Sequence, residues 1–270
     1  MHAAGGRIFC QLWHMGRIVH PSFLDGAAPV SASATTAPGA AHTYAGKQPY
    51  AQARPLAADE IPALLEDYRN AARNALAAGF DGVQVHAANG YLIDQFLRDG
   101  SNHRTDRYGG PIENRIRLLH EVTQAVAEIA GADRTAVRLS PNGDSQGVND
   151  SAPEALFTAA ATALSGLGIA FLELREPGFD GTFGKAAVPP IAPAIRRVFK
   201  GPLVLNSDYD HARGQAALDS NVADAIAFGR PFISNPDLPR RMQHDLPMAK
   251  DDMPTWYSQG AHGYTDYPAA

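Results

Sequence analysis

One cysteine, Cys10, stands in a chain of 270 residues. That excludes an intramolecular disulfide, and with no CxxC pair there is no structural zinc motif. No run of about 18 apolar residues occurs, which excludes a transmembrane helix. Basic residues are not in excess. Lys and Arg total 23 against 28 Asp and Glu, a net charge of −5. That balance excludes a strongly basic nucleic-acid scaffold. The residues from Met1 to Arg7 lack a basic region followed by an apolar core. No secretory signal is therefore read, and a reducing cytoplasm is the expected compartment. There is no GxGxxG after the first strand and no GxxxxGK followed by Ser or Thr. The Rossmann and P-loop readings lose their chief support. No fixed-period repeat or second domain is visible, so residues 1–270 are read as one domain.

What is present is ordinary globular material, with 45% hydrophobic and 19% charged residues. Short apolar strands are expected at 7–14, 83–86, 135–140, 169–175, 202–206 and 223–228. Helices are expected from Ala58, with Ile61, Leu64, Leu65, Tyr68, Ala72 and Leu76 at helical spacing, and over 111–129, 153–167, 188–199, 210–218 and 238–246. A long stretch from Gly16 to about Pro55, rich in Ala, Ser, Thr, Pro and Gly, reads as a functional or mobile loop. Strands alternating with helices indicate a parallel sheet, either doubly wound or a (β/α) barrel.

In a barrel, polar residues at the C-terminal strand ends line one mouth. Here those positions hold Gln11 and His14, His86 and Asn89, Arg138, Arg175, Asn206 to Asp208, and Gly229-Arg230. His86, Asn89 and Tyr91 form the most informative group. An imidazole and a carboxamide can aim two donors at one oxygen, polarise a carbonyl or nitro group and stabilise charge growing on it. A phenol beside them can protonate the adjacent carbon. The bland alternative is that His86 and Asn89 satisfy backbone groups while Tyr91 packs. Arg138 sits between apolar neighbours in a central strand and needs an anion, an electron-rich partner or an internal salt bridge. Gly229-Arg230 before a helix start, with Asn206-Ser207-Asp208 after the preceding strand, reads as a phosphate site; plain capping is the other reading. Gln11 has two readings, a contact to a heteroaromatic ring edge or a loop bond. Trp13 is a packing wall. The ten histidines include His14, His20, His86 and His103, but no HxH or HExxH spacing groups them. A metal-dependent barrel hydrolase stays as a weaker reading. Glu173 is its one strand carboxylate, unless that residue is an internal partner for an arginine.

The stretch Gly79-Phe80-Asp81-Gly82-Val83-Gln84-Val85-His86-Ala87-Ala88-Asn89-Gly90-Tyr91-Leu92 resembles the Old Yellow Enzyme signature. So do Asp94-Gln95-Phe96-Leu97, the run from Ser101 to Gly110, Glu113-Asn114-Arg115, Gln11-Leu12-Trp13-His14 and Pro29 to Ser33. Downstream, Ala227 to Leu238 and Gly263 to Pro268 are similar as well. The likeness spans essentially the whole chain and is nearest to alkene reductases of the N-ethylmaleimide reductase kind. It implies a TIM-type (β/α)8 barrel that uses FMN and NAD(P)H in a ping-pong reduction of activated C=C bonds. The ligands are then small molecules, with no nucleic acid or membrane partner, and monomer and homo-oligomer both stay open. By the same resemblance, Gln11 contacts the flavin pyrimidine edge. Arg138 lies at the N1/O2 side. Ser207, Asp208, Gly229 and Arg230 form the phosphate end. His86 and Asn89 hold the substrate oxygen beside the cofactor, Tyr91 supplies the proton, and Trp13 and Tyr264 shape the substrate pocket.

Two departures from the family pattern set expectations. Relatives carry roughly a hundred residues ahead of the Gln11 position, at ~30 or more per βα unit. Six strands against the eight of a closed barrel predict a chain lacking its N-terminal part: a truncated product, a mis-called start or a fragment completed by another chain. A fragment that retains no FMN is the competing reading. Ser207-Asp208 also stand where relatives have a small Gly-containing turn, and a carboxylate there is expected to point away from phosphate.

Overall fold

The alternation within four short strands decides which face of the sheet does chemistry. Gly82–His86 reads G-V-Q-V-H, Thr135–Leu139 reads T-A-V-R-L, Phe171–Arg175 reads F-L-E-L-R and Leu203–Asn206 reads L-V-L-N. Successive side chains point to opposite faces of a strand. One face therefore carries Gln84, His86, Arg138, Glu173, Arg175 and Asn206. The other carries Val83, Val85, Val137, Leu139, Leu172, Leu174, Leu203 and Leu205, all buried. Burying a Val or Leu side chain is worth about 1.5–3 kcal/mol, so this apolar face fixes the register and with it the polar face.

The computed structural model describes residues 1–182, 184–257 and 259–270. Its main sheet has six strands, β1 (Phe9–Leu12), β2 (Gly82–His86), β3 (Thr135–Leu139), β4 (Phe171–Arg175), β5 (Leu203–Asn206) and β6 (Ala225–Ala227). They pair in chain order and all in parallel. The register sets Gln11 beside Gln84, His86 beside Arg138, Arg138 beside Glu173, and Asn206 beside both Arg175 and Ala227. At the N-terminal end of the polar face, Phe9 and Phe171 close the interior with rings 5.3 Å apart. All six expected strands are present; Gly82–His86 starts one residue earlier than expected and the other five are trimmed by up to a few residues.

Helices return the chain between strands: α1 (Ile61–Ala77), α2 (Leu92–Leu97), α3 (Ile112–Arg115), α4 (Arg117–Ala130), α5 (Pro153–Gly166), α6 (Ala192–Val198), α7 (His211–Asp219), α8 (Arg230–Ser234) and α9 (Leu238–Gln243). α1 buries Ile61, Leu64, Tyr68, Ala72 and Ala75. It starts at Ile61 rather than Ala58 because the Glu60 carboxylate folds back on the Ala57 N–H and pairs with Arg54. The helix expected over 111–129 is two, α3 and α4, meeting at Ile116. The helix expected from Val188 starts only at Ala192, after Pro189-Pro190, since a proline disfavours helix at the residue before it. The segment read as a long loop holds more order than expected. Ala40–Thr43 and Gly46–Pro49 form an antiparallel hairpin, and Val30–Ser31 pairs with Arg54–Pro55. No helix among the described residues is long and apolar enough to cross a membrane.

Candidate active site

β2 ends at His86, and the next five residues turn sharply into α2. Asn89 adopts a left-handed φ of 58° and Gly90 one of 78°. Asparagine tolerates that region. At Gly90 a Cβ would collide with the Ser145 carbonyl oxygen, so only glycine fits. The turn is held from below by Asp94, a fully buried carboxylate. It accepts from the Gly90 N–H at 2.8 Å and pairs with Arg98 Nε at 2.8 Å. Ser140 Oγ accepts from the Asn89 N–H at 2.7 Å, and Gln146 Nε2 donates to the Asn89 carbonyl. The Asn89 backbone is thus fully engaged while its side-chain Oδ1 is buried without a partner.

His86 is buried, and its Nδ1 has no hydrogen-bond partner. Burial first, and then the neighbouring Arg138 charge, push its pKa down to about 4. At neutral pH it is an uncharged imidazole with one N–H to give. Its ring lies 5.2 Å from that of Tyr91 and 6.0 Å from that of Trp13, and Trp13 meets Tyr91 edge-on at 4.7 Å. Tyr91 packs, as the bland reading of the H-x-x-N-x-Y group has it, but the rest of that reading does not describe His86 and Asn89. The backbone is satisfied by other residues, and the His86 and Asn89 side chains bond to none of it.

The phosphate-type end lies after β5 and β6. Ser207 and Asp208 take positive φ values of 114° and 51°, the region glycine prefers. Gly229 caps α8, whose first residue is Arg230. Asp208 does not point away as expected. Its Oδ1 lies 2.6 Å from Arg230 Nη2 and also accepts from Thr182 Oγ1. Burial opposes its charge, but the bonds from Thr182 and Arg230 hold the carboxyl below the usual carboxylate range.

Arg138 and Glu173 resolve another open choice. Arg138 Nε lies 3.2 Å from Glu173 Oε1, an ion pair, although its N–H is not aimed along that line. Arg138 Nη2 donates to Asn206 Oδ1 at 2.9 Å. Glu173 is therefore the internal partner of an arginine. Among the described residues no three His, Cys, Asp or Glu side chains gather as metal ligands.

A cavity of about 840 Å³ runs from Asn89 and Arg138 to Asp208, Gly229 and Arg230, with Arg175, Trp256 and Tyr257 among its walls. The model of the NADH:flavin oxidoreductase / NADH oxidase family matches residues 1–249. The chain belongs to that family. It is 43% identical over 271 residues to putative 12-oxophytodienoate reductase 11 of Oryza sativa subsp. japonica, covering 99% of this chain and 74% of the relative. It is 40% identical over 272 residues to 12-oxophytodienoate reductase 2 of Arabidopsis thaliana, covering 100% and 73%. Among solved structures, the Old Yellow Enzyme homologue from Zymomonas mobilis superposes with a TM-score of 0.97 at 62% identity, covering all of this chain and 76% of that one. Morphinone reductase gives 0.94 at 44% identity, covering 100% and 74%. Among its described residues the chain thus presents six βα units of a TIM-type (β/α)8 barrel.

The residues fit FMN. The cavity volume lies within the range of cofactor sites. Arginines Arg138, Arg175 and Arg230 line it, as a dianionic phosphate and an electron-accepting ring require. Asn89, whose Oδ1 has no partner, lines it, whereas His86, Trp13 and Gln11 are not among its walls and Tyr91 lines an adjoining cavity that shares Asn89 and Arg175 with it. Gln11 is placed by its Nε2–H on Gln84 Oε1 at 2.7 Å. Tyr264 lines a smaller cavity with Phe232 and Pro236 that shares Gly229 and Ile233 with the large one.

Other residues of the signature stretches are scaffold. Arg104 pairs with Asp106 and donates to the Ala32 and Leu56 carbonyls. Asn102 ties the Phe96 and Tyr108 carbonyls, and Arg115 binds Asp150. The sequence reading named Arg175 as a strand end but gave it no role. Its position on the polar face, two residues after Glu173, was the available signal.

Proposed function

We propose that this chain holds FMN in the large cavity and reduces activated alkenes, α,β-unsaturated carbonyl or nitro compounds, at the expense of NADH or NADPH. The observation that carries this reading is a neutral, buried His86 three residues before Asn89, whose side-chain Oδ1 is unengaged and which lines the same cavity as the Arg230 helix start. When bound, FMN supplies the hydride chemistry that no amino-acid side chain offers. The chain's own residues do the rest. His86 gives its N–H, and Asn89 its Nδ2–H, to the carbonyl or nitro oxygen and so stabilise negative charge as it grows there. Tyr91, in ring contact with His86, delivers its hydroxyl proton to the α-carbon. Trp13 walls the substrate side against His86 and Tyr91, and Tyr264 shapes the pocket from the smaller cavity next to Gly229. Gln11 meets the pyrimidine edge and Arg138 the N1/O2 side. The Ser207-Asp208 turn, Gly229 and Arg230 take the phosphate. Relatives named as reductases of 12-oxophytodienoate support an unsaturated ketone as substrate class. A reducing cytoplasm is the proposed setting, in keeping with the single free thiol of Cys10.

The test is a pair of half-reactions on the FMN-loaded chain under anaerobic conditions. NADPH or NADH should bleach the flavin band, and 2-cyclohexenone should then restore it. A band that bleaches but does not return with any enone or nitroalkene contradicts the reading. A second reading, a chain that retains no FMN, is favoured by one observation: β1 and β6 each have a single neighbour in the sheet among the described residues.

A further inference from the structure

A continuous row of side-chain bonds crosses the polar face of all six strands. Gln11 Nε2 donates to Gln84 Oε1 at 2.7 Å, and Gln84 Nε2 donates to Glu173 Oε2 at 2.8 Å. Glu173 Oε1 faces Arg138 Nε at 3.2 Å. Arg138 Nη2 donates to Asn206 Oδ1 at 2.9 Å, and Asn206 Nδ2 donates to the Ala227 carbonyl at 2.8 Å. The row runs β1, β2, β4, β3, β5, β6. Its points of fixed polarity are the Glu173 carboxylate and the Ala227 carbonyl, which can only accept, and the Arg138 guanidinium, which can only donate.

That fixed polarity has a consequence for each amide. A primary amide can turn over and exchange its donor and acceptor ends. The Glu173 carboxylate forbids it for Gln84, because a carboxylate demands the NH₂ end. Gln84 must then turn its oxygen to Gln11, and Gln11 must turn its NH₂ to Gln84. The Gln11 Oε1 is left facing away from the row, as an acceptor. A residue three strands away thus decides whether Gln11 offers an acceptor or a donor. On its other oxygen, the same carboxylate sets Arg138.

We propose that Glu173 is a positioning residue which, through Gln84, fixes Gln11 as a hydrogen-bond acceptor for an imide N–H on a ring edge, and at the same time holds Arg138 in place. This rests on the proposed function, in which Gln11 and Arg138 face the flavin. Glu173 itself touches neither substrate nor cofactor. Neither Glu173 nor Gln84 has a role in the reading above, and the row explains why a partly buried carboxylate and a buried carboxamide occupy the interior together.

The test uses the full chain freed of flavin and titrated with FMN, with quenching of FMN fluorescence as the readout and melting of the flavin-free chain as the control. Glu173→Gln is isosteric but can donate, so Gln84 and Gln11 become free to turn over. FMN affinity should fall about tenfold, the worth of one well-placed hydrogen bond. The transposed pair Gln84→Glu with Glu173→Gln restores the polarity. The carboxylate then at position 84 must again accept from Gln11, and the amide then at position 173 can donate to it. FMN affinity of the pair should return to within about threefold of the wild type. A merely structural role predicts no such rescue. Wild-type affinity in Glu173→Gln overturns the proposal and leaves the flavin site standing. So does a transposed pair that melts like the single variant and binds FMN no better. A wild-type chain that quenches no FMN overturns the flavin site and the proposal with it.

Discussion

Arg230 Nη2 and Asp208 Oδ1 lie 2.6 Å apart, so the cation at the start of α8 already has a carboxylate on it. A phosphate arriving at Arg230 must share the guanidinium or displace Asp208. Asp208→Asn keeps the bond to Thr182 while removing the charge. A partly exposed pair of this kind is worth about 1 kcal/mol or less. FMN affinity should therefore rise up to about fivefold in Asp208→Asn, and riboflavin affinity should not change. Parallel fluorescence titrations with the two flavins check this. An equal change for both would place Asp208 away from the phosphate.

Tyr91→Phe keeps the ring contacts with Trp13 and His86 and removes only the hydroxyl. Alkene reduction should slow by about 10²-fold or more, the usual worth of a general acid. Flavin reduction by NAD(P)H should be largely spared. Stopped-flow measurement of each half-reaction separates the two, and an equal loss in both would remove Tyr91 from the proton-donor role. Replacing His86 and Asn89 together should weaken binding of phenolic ligands, read from the shift of the flavin band.

His86 also links stability to pH. Its folded pKa of about 4 lies below the ordinary 6.5, so between those values the unfolded chain binds a proton that the folded chain does not. The contribution is fully present above pH 6.5 and is lost as pH falls to about 4. It amounts to at most about 3 kcal/mol. Urea unfolding of the wild type and His86→Gln across that range should show the wild type losing stability relative to the variant. A pH-independent difference would mean that His86 is not held neutral.

The buried pair under the turn gives a stability prediction. Arg98→Met leaves the fully buried Asp94 without its cation and should cost about 3–5 kcal/mol. The double variant Asp94→Leu with Arg98→Met removes the stranded charge and should recover part of that loss, though the Gly90 N–H then lacks its acceptor. Denaturant midpoints of the three proteins decide it.

Much of this was legible in the sequence, for identifiable reasons. The strands were found because their outward residues are Val and Leu. The sharp turn after β2 was not read, although Asn89-Gly90 carries a turn signal of its own. α2 was missed because Leu92–Leu97 is buried on every side. A helix without a polar face shows no 3.6-residue period. The hairpin at 40–49 was missed for want of alternating apolar residues: its strands read A-A-H-T and G-K-Q-P. The Asp208–Arg230 pair joins the turn after β5 to the start of α8, and the row through Gln84 and Glu173 joins residues on different strands. Their existence depends on which face turns inward and on register, and neither is a local property of sequence.

The central claim is that the cavity between Asn89 and Arg230 holds FMN. It is tested most directly by incubating the 270-residue chain with FMN, desalting it and recording the visible spectrum. The account predicts a retained flavin band that shifts when a phenol is added. A colourless protein would contradict it.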